Sequence, residues 1–233
     1  MLKYFGINRA VGYGLMIRIW SVFSGPISMV IIAASLNISE QGFYYTFASL
    51  LGLQIFFELG LVTVLAQFIS HEFVSLSWGD NGELVGDEVK KNRVLDILGK
   101  SLKWYSICSL LLILTLSIAG YLFFGNETNY DISWKLPWFL SVVCVGLNLL
   151  IIPFYAVMSG SGEVASVNFR ELIGGVIGSL LSWIVLTLGG KLYAIPAVIF
   201  GNIIVGVIYL LRNKPVLIKQ SIFFSLRKKS ISN

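Results

Sequence analysis

Apolar residues run almost unbroken by charge over six long stretches: 11–36, 43–68, 104–124, 136–158, 172–189 and 192–211. Of the 17 Lys and Arg and 12 Asp and Glu in the chain, only Arg18 and Glu58 fall inside them. Each stretch reaches or approaches the ~20 residues that a helix needs to cross about 30 Å of hydrocarbon. Strands of a membrane barrel would instead alternate in and out over ~10-residue segments. The pattern therefore predicts an all-α polytopic membrane protein, with six transmembrane helices in one bundle over residues 1–211 and a basic tail over 212–233. The first stretch is too long for the 7–15-residue apolar core of a signal peptide, carries Arg18, and offers only Ala33-Ala34-Ser35 as a weak cleavage site. It is read as a span.

Composition agrees: 56% of the 233 residues are hydrophobic and 12% charged, and the mean hydropathy is +0.82. A soluble domain would carry about a quarter charged residues. A soluble enzyme, a nucleic-acid binder and a secreted disulfide scaffold are excluded. Cys108 and Cys144 lie inside spans at depths differing by roughly 15 Å at ~1.5 Å per residue, too far for a disulfide, and are read as packing residues.

Charge also orients the chain. Alternating the spans places all Lys and Arg on one side except Lys135, Lys191 and the intramembrane Arg18. Short loops rich in Lys and Arg stay cytoplasmic, so both termini are expected there. The net charge of +5 then reflects topology and anionic inner-leaflet lipids, to which the tail's Arg212, Lys214, Lys219, Arg227, Lys228 and Lys229 are expected to bind. Phe43, Tyr44 and Tyr45, Trp134 and Trp138, and Trp104 with Tyr105 fall where aromatic belts are expected. In the loop 69–103, Leu84, Val85, Val89, Leu95 and Leu98 predict a partly amphipathic helix after the Gly79-Asp80-Asn81-Gly82 turn.

Candidate chemistry is sparse. A charge at membrane depth costs at least ~2.5 kcal/mol and usually has a partner or a watery cavity. Arg18 and Glu58 fall at matching depths in adjacent spans and are expected to pair. Gln54 and Glu58 share a helical face, and Thr63 and Gln67 extend it into a polar stripe suited to a cavity. Arg170, with Asn168 and Glu171 at the mouth of span 5, reads most simply as a headgroup anchor but remains a pathway candidate with Arg18, Gln54, Glu58 and Gln67. Asn148 with Pro153, and Asn202, read as packing or kink features. Gly174, Gly178 and Ser182 form a small-residue face for close helix approach. No nucleophile elbow, phosphate loop or metal cluster is present, and His71 is the lone histidine, so neither catalysis nor a cofactor nor a metal is expected.

The run Glu40-Gln41-Gly42-Phe43-Tyr44-Tyr45-Thr46-Phe47, the segment Phe57-Glu58-Leu59-Gly60-Leu61, Gln67 to Glu72, and Leu102-Lys103-Trp104-Tyr105 resemble the first half of bacterial O-antigen and polysaccharide flippases of the multidrug/oligosaccharidyl-lipid/polysaccharide exporter superfamily. The resemblance implies a bacterial inner-membrane transporter in which two six-helix bundles flank a central cavity. It also implies translocation of an undecaprenyl-diphosphate-linked oligosaccharide by alternating access, with Arg18 and Glu58 as cavity candidates. The family has about twelve spans, so a homodimer or a separately encoded second six-helix half is the expected partner. Competing expectations are an inactive remnant, half of a small-molecule exporter, or a membrane enzyme of surface-polysaccharide assembly. The last is disfavoured by outer loops of at most about eleven residues.

The orientation is tested by reporter fusions at residues 80, 130 and 233. Cytoplasmic signals are expected from the first and last and a periplasmic one from the second; a periplasmic tail would reverse the topology.

Overall fold

The computed structural model describes residues 8–58, 60–125 and 132–221. Lys3, Leu59 and the tail's Arg227, Lys228 and Lys229 lie outside the described residues. The helices are α1 (Arg9–Ser35), α2 (Ile38–Leu51), α3 (Gln54–Glu58), α4 (Leu61–Glu72), α5 (Glu88–Phe124), α6 (Lys135–Gly160), α7 (Val164–Thr187) and α8 (Ala194–Asn213). Among the described residues, six segments are long and apolar enough to cross a membrane: α1, the α2–α4 run, α5, α6, α7 and 191–213. The chain is an all-α multi-pass membrane bundle, supplemented by one short hairpin, β1 (Leu76–Trp78) and β2 (Leu84–Gly86).

The second span departs from the sequence reading. It is not one helix but three pieces. At the first break Leu53 and Ile55 donate to Leu50 and Gly52, three residues back rather than four. At the second, Gly60 adopts φ 67°, a left-handed backbone that costs glycine little and other residues more. Backbone groups freed by such breaks are tolerated at membrane depth only inside protein or beside a polar cavity.

Helix order across the bundle is set by packing. α1 lies along α7, α7 along α8, α8 against α6, and α6 against α5 and α4. The expected Arg18–Glu58 pair therefore does not form. Arg18 is exposed on α1, at one edge of the bundle, while α3 packs against α5 near the other. The error was one of adjacency: a tight loop joins α1 to α2, but α1 finds its partner surface on α7. There Trp183 donates to Ser28 Oγ at 2.8 Å and Asn168 to the Ala10 carbonyl at 2.9 Å.

The expected aromatic belts are partly core. Phe43, Phe47, Phe124 and Trp138 are buried together, with Phe47 and Trp138 ring centres 4.8 Å apart, edge to face. Tyr105 is fully buried. Ring–ring contact and apolar burial outweigh the interfacial preference of these residues. Trp138 fits because Gly120 opposite it lacks a Cβ, and its indole N–H donates to the Leu116 carbonyl at 3.2 Å.

At the other end, a helix does follow the Gly79–Gly82 turn as expected, but only from Glu88, and the residues before it form a hairpin. The Gly79–Gly82 turn closes the hairpin, with Trp78 paired to Leu84. Asp87 then caps α5 by accepting from Val89 and Lys90, and α5 runs 37 residues without a break. At ~1.5 Å per residue this is about 55 Å, well beyond the hydrocarbon thickness. Leu84, Leu95 and Leu98 are buried, whereas Val85 and Val89 are exposed. Lys214, expected at lipid headgroups, is instead buried at 5% exposure. Its Nζ meets Glu163 Oε1 at 2.8 Å and sits 3.5 Å from the centre of the Trp78 ring, while Trp78 donates to Ser161 Oγ at 2.9 Å. One lysine thus ties the end of α8, the α6–α7 turn and the hairpin. Leu217, in the helical segment 215–221, is buried beside them.

Burial lowers the Lys214 pKa, and hydrogen bonding and charge from Glu163 oppose this only in part. The unfolded chain therefore holds this proton to higher pH than the folded one. The lysine's contribution to stability should rise with pH through the alkaline window that ends near the usual value of about 10.4. Unfolding measured across that window should lose this slope in Lys214→Met. Glu163→Gln, which strands the ammonium, should cost about 1–3 kcal/mol.

Candidate functional site

Between α2, α3, α6, α7 and α8 lies a half-open cavity of about 390 Å³. This falls in the range of small-ligand pockets. Its apolar walls come from Ala48, Leu51, Val145 and Ile195, among others, and its polar groups are Tyr44, Gln54, Asn148, Arg170 and Asn202. The small-residue face of α7 packs against α8 beside it. Gly174 and Gly178 are buried against α8, where a Cβ on Gly174 would come within 2.5 Å of Asn202 Oδ1 and one on Gly178 within 2.8 Å of the Val198 carbonyl. Gly201 faces Gly178 from α8, where its own Cβ would stand 3.0 Å from Gly178 Cα. This approach brings Asn202 and Arg170 to the same wall.

Arg170 is not a headgroup anchor. Its Nη2 donates to the Asn202 carbonyl at 2.9 Å, and its guanidinium carbon stands 4.6 Å from the centre of the Tyr155 ring. Tyr155 in turn donates its hydroxyl to the Gly206 carbonyl at 2.8 Å. A Cβ on Gly206 would crowd the guanidinium. Arg170 Nε is buried without a hydrogen-bond partner, and no carboxylate pairs with the guanidinium among the described residues. The site therefore carries a fixed positive charge beside three neutral amides, with donors to spare for an anion and for hydroxyl groups.

The other candidates divide between this cavity and other surfaces. Gln54 lines the cavity, but Glu58, one turn on in α3, does not. It lies near Tyr105, whose hydroxyl is buried without a hydrogen-bond partner. Gln67 is exposed on α4, and Arg18 is exposed on α1. Asn148 and Asn202 join the site although the sequence reading favoured packing for both. Asn202 also has its packing role, wedged between Gly174 and Gly178. No signal in the sequence marked Asn202, because the small-residue stripe it faces lies on another helix. Pro153 is buried within α6. Cys108 and Cys144 are free thiols.

In comparisons with protein-family models, with curated proteins and with solved structures, nothing matches the chain.

The Arg170 network is testable by unfolding in detergent. Tyr155→Phe keeps the ring beneath the guanidinium and removes one buried hydrogen bond, at an expected cost of about 1 kcal/mol. Tyr155→Leu should cost more, because it also removes the cation–π contact and leaves a cavity. Equal stability of the two variants would show that the ring does not hold Arg170.

Proposed function

We propose that this chain is a six-helix half of an exporter of the polysaccharide-flippase type, carrying undecaprenyl-diphosphate-linked oligosaccharides across the bacterial inner membrane by alternating access. The observation that supports this reading is the chemistry of the cavity. Arg170 supplies a cation without a carboxylate partner among the described residues, suited to a diphosphate, and Gln54, Asn148 and Asn202 supply amides suited to sugar hydroxyls. A guanidinium can bind phosphate oxygens bidentately, and amides can both donate to and accept from hydroxyls.

The break in the second span adds support, because discontinuous helices commonly border transport sites. Arg18 supports a second body. On a lipid-facing surface an unpartnered cation is costly, whereas on the wall of a space between two bundles it faces water or substrate. Six spans put both ends of the chain on one membrane face, so two copies or two halves insert with the same orientation. In this reading the hairpin end is cytoplasmic, since Arg9, Lys90, Lys91, Arg93, Lys100, Lys103 and Arg212 gather there while Lys135 and Lys191 lie at the opposite end.

The decisive experiment has two arms. Purified protein in nanodiscs is titrated with undecaprenyl diphosphate, and Arg170→Gln is expected to weaken binding at least about tenfold, the factor that corresponds to 1.4 kcal/mol. A flippase-deficient strain is then complemented with this chain alone and with a candidate second half. Unchanged affinity in Arg170→Gln refutes the site. Full rescue by a chain shown to be monomeric refutes the half-transporter.

A further inference from the structure

We propose that α2 is a hinged gate over this cavity, held shut at the end remote from the hairpin by the ion pair between Glu40 and Lys191. The inference rests on the cavity being the occupied site and assigns its regulation to residues of another surface. α2 supplies one wall of the cavity through Tyr44, Ala48, Leu51 and Gly52. It is mechanically separate from α3 and α4, since the span breaks after Leu51 and again at Gly60, whose φ of 67° marks a second joint. Its contact with α1 is confined to one end, where Tyr44 packs in a cluster with Ile32. Only Leu36 and Asn37 join the two helices, and α1 packs on α7.

The attachments of α2 differ in kind on its two sides, and on the α7 side Tyr44 also lies within hydrogen-bond reach of Ser182. Toward α5 and α6 it is held by rings: Phe43 stacks on Phe124 at 5.2 Å and Phe47 meets Trp138 at 4.8 Å. Such contacts carry no charge and no hydrogen bond between α2 and its neighbours. Toward α7 and α8 it is held by a directional tie. Glu40 is 5% exposed; its Oε2 accepts from the Asn37 backbone N–H at 3.0 Å while its Oε1 meets Lys191 Nζ at 2.6 Å. Lys191 lies in the turn between α7 and α8 with φ 49°, a left-handed backbone that a lysine holds only when its surroundings compensate. Beneath the pair, Tyr44 packs against the cluster that contains Leu186 and Ala194. The tie thus joins the start of α2 to the turn that leads into α8, outside the cavity lining itself.

Space on both sides allows movement. The 390 Å³ cavity lies on the α8 side of α2, and a second cleft of about 330 Å³, lined by Gly42, Thr46 and Phe123 among others, lies on the α5 side. Breaking the pair lets α2 rock on its aromatic bearing, widening the first space as it narrows the second.

The test uses the whole chain in nanodiscs with Cys108 and Cys144 replaced by Ser and a reporter thiol from Val145→Cys, a buried residue of the cavity wall. Its labelling rate by a charged thiol reagent is read in Glu40→Gln, which keeps an acceptor for the Asn37 N–H, in Lys191→Met, and in both together. Each single change is expected to raise the rate about tenfold, and the double change no further. A thiol from Ser106→Cys, on the exposed face of α5, should be unaffected. In the same cysteine-replaced background with Glu40 and Lys191 unaltered, spin labels at the exposed Ile38 and Leu188 should report two separations, the longer one growing in Glu40→Gln. Unchanged labelling rates, or a single fixed separation with the pair unaltered, overturn the gate. Both readouts are independent of substrate. A chain that gates but does not bind undecaprenyl diphosphate refutes the transport reading alone, and one that binds it with a fixed α2 refutes the gate alone.

Discussion

The close approach of α7 and α8 is the constraint on which the rest of the bundle depends. Lipid tails are as apolar as leucine, so two apolar helices gain nothing by burying apolar surface against each other rather than against lipid. What α7 and α8 gain is contact. Gly174, Gly178 and Gly201 let the backbones meet, and at that separation Arg170 on α7 reaches a carbonyl on α8. A larger residue at Gly178 would push α8 away, and the guanidinium would lose both the Asn202 carbonyl and the geometry over Tyr155. The positive charge in the cavity is therefore a consequence of helix packing two turns away.

A related constraint explains why polar groups sit where the second span breaks. A continuous helix satisfies its own backbone and can face lipid along its whole length. A helix broken at 52–53 and at 60 cannot, so its freed groups must face protein or a polar cavity. Gln54 stands between these breaks and lines the cavity. Break and cavity thus adjoin: the tightened backbone bonds at Leu53 and Ile55 bend the chain beside the space that Gln54 lines.

Much of this was legible in the sequence. The six apolar stretches, the small-residue stripe on α7 and the polarity of Gln54 could be read directly, because each rests on local composition or helical spacing. The misreadings share one cause. Arg18 with Glu58, Arg170 as a headgroup anchor, and Phe43 and Trp138 as belt residues were all placed by depth along a span, and depth does not say which helix lies beside which. The break in span 2 was hidden for another reason. Gly52 and Gly60 are eight residues apart in an apolar run, and a single glycine in a helix costs only about 1 kcal/mol, too little to distinguish a break from a tolerated interruption. The hairpin was hidden because its strands are three residues each, too short to show alternation.

Where apolar contact cannot choose between helix registers, the ends of the bundle do so with charge. At one end Lys214 joins α8, the α6–α7 turn and the hairpin; at the other Lys191 joins the α7–α8 turn to α2. Both pairs engage the α7–α8 unit, and in both one partner is almost wholly buried. A one-residue slip of α8 along α7 would move Lys214 by about 1.5 Å and around the helix by ~100°, removing it from both Glu163 and Trp78. Stranding a buried charge in this way costs several kcal/mol, whereas the same slip costs an apolar lipid-facing residue almost nothing. The two pairs nonetheless do different work. The Lys214 pair is enclosed by an indole and a hairpin, and fixes its end. The Lys191 pair has its lysine 60% exposed, so water can compete for it. Its release strands only the glutamate, whose bond from Asn37 remains. Of the two, the end that can open is the one closed by Lys191.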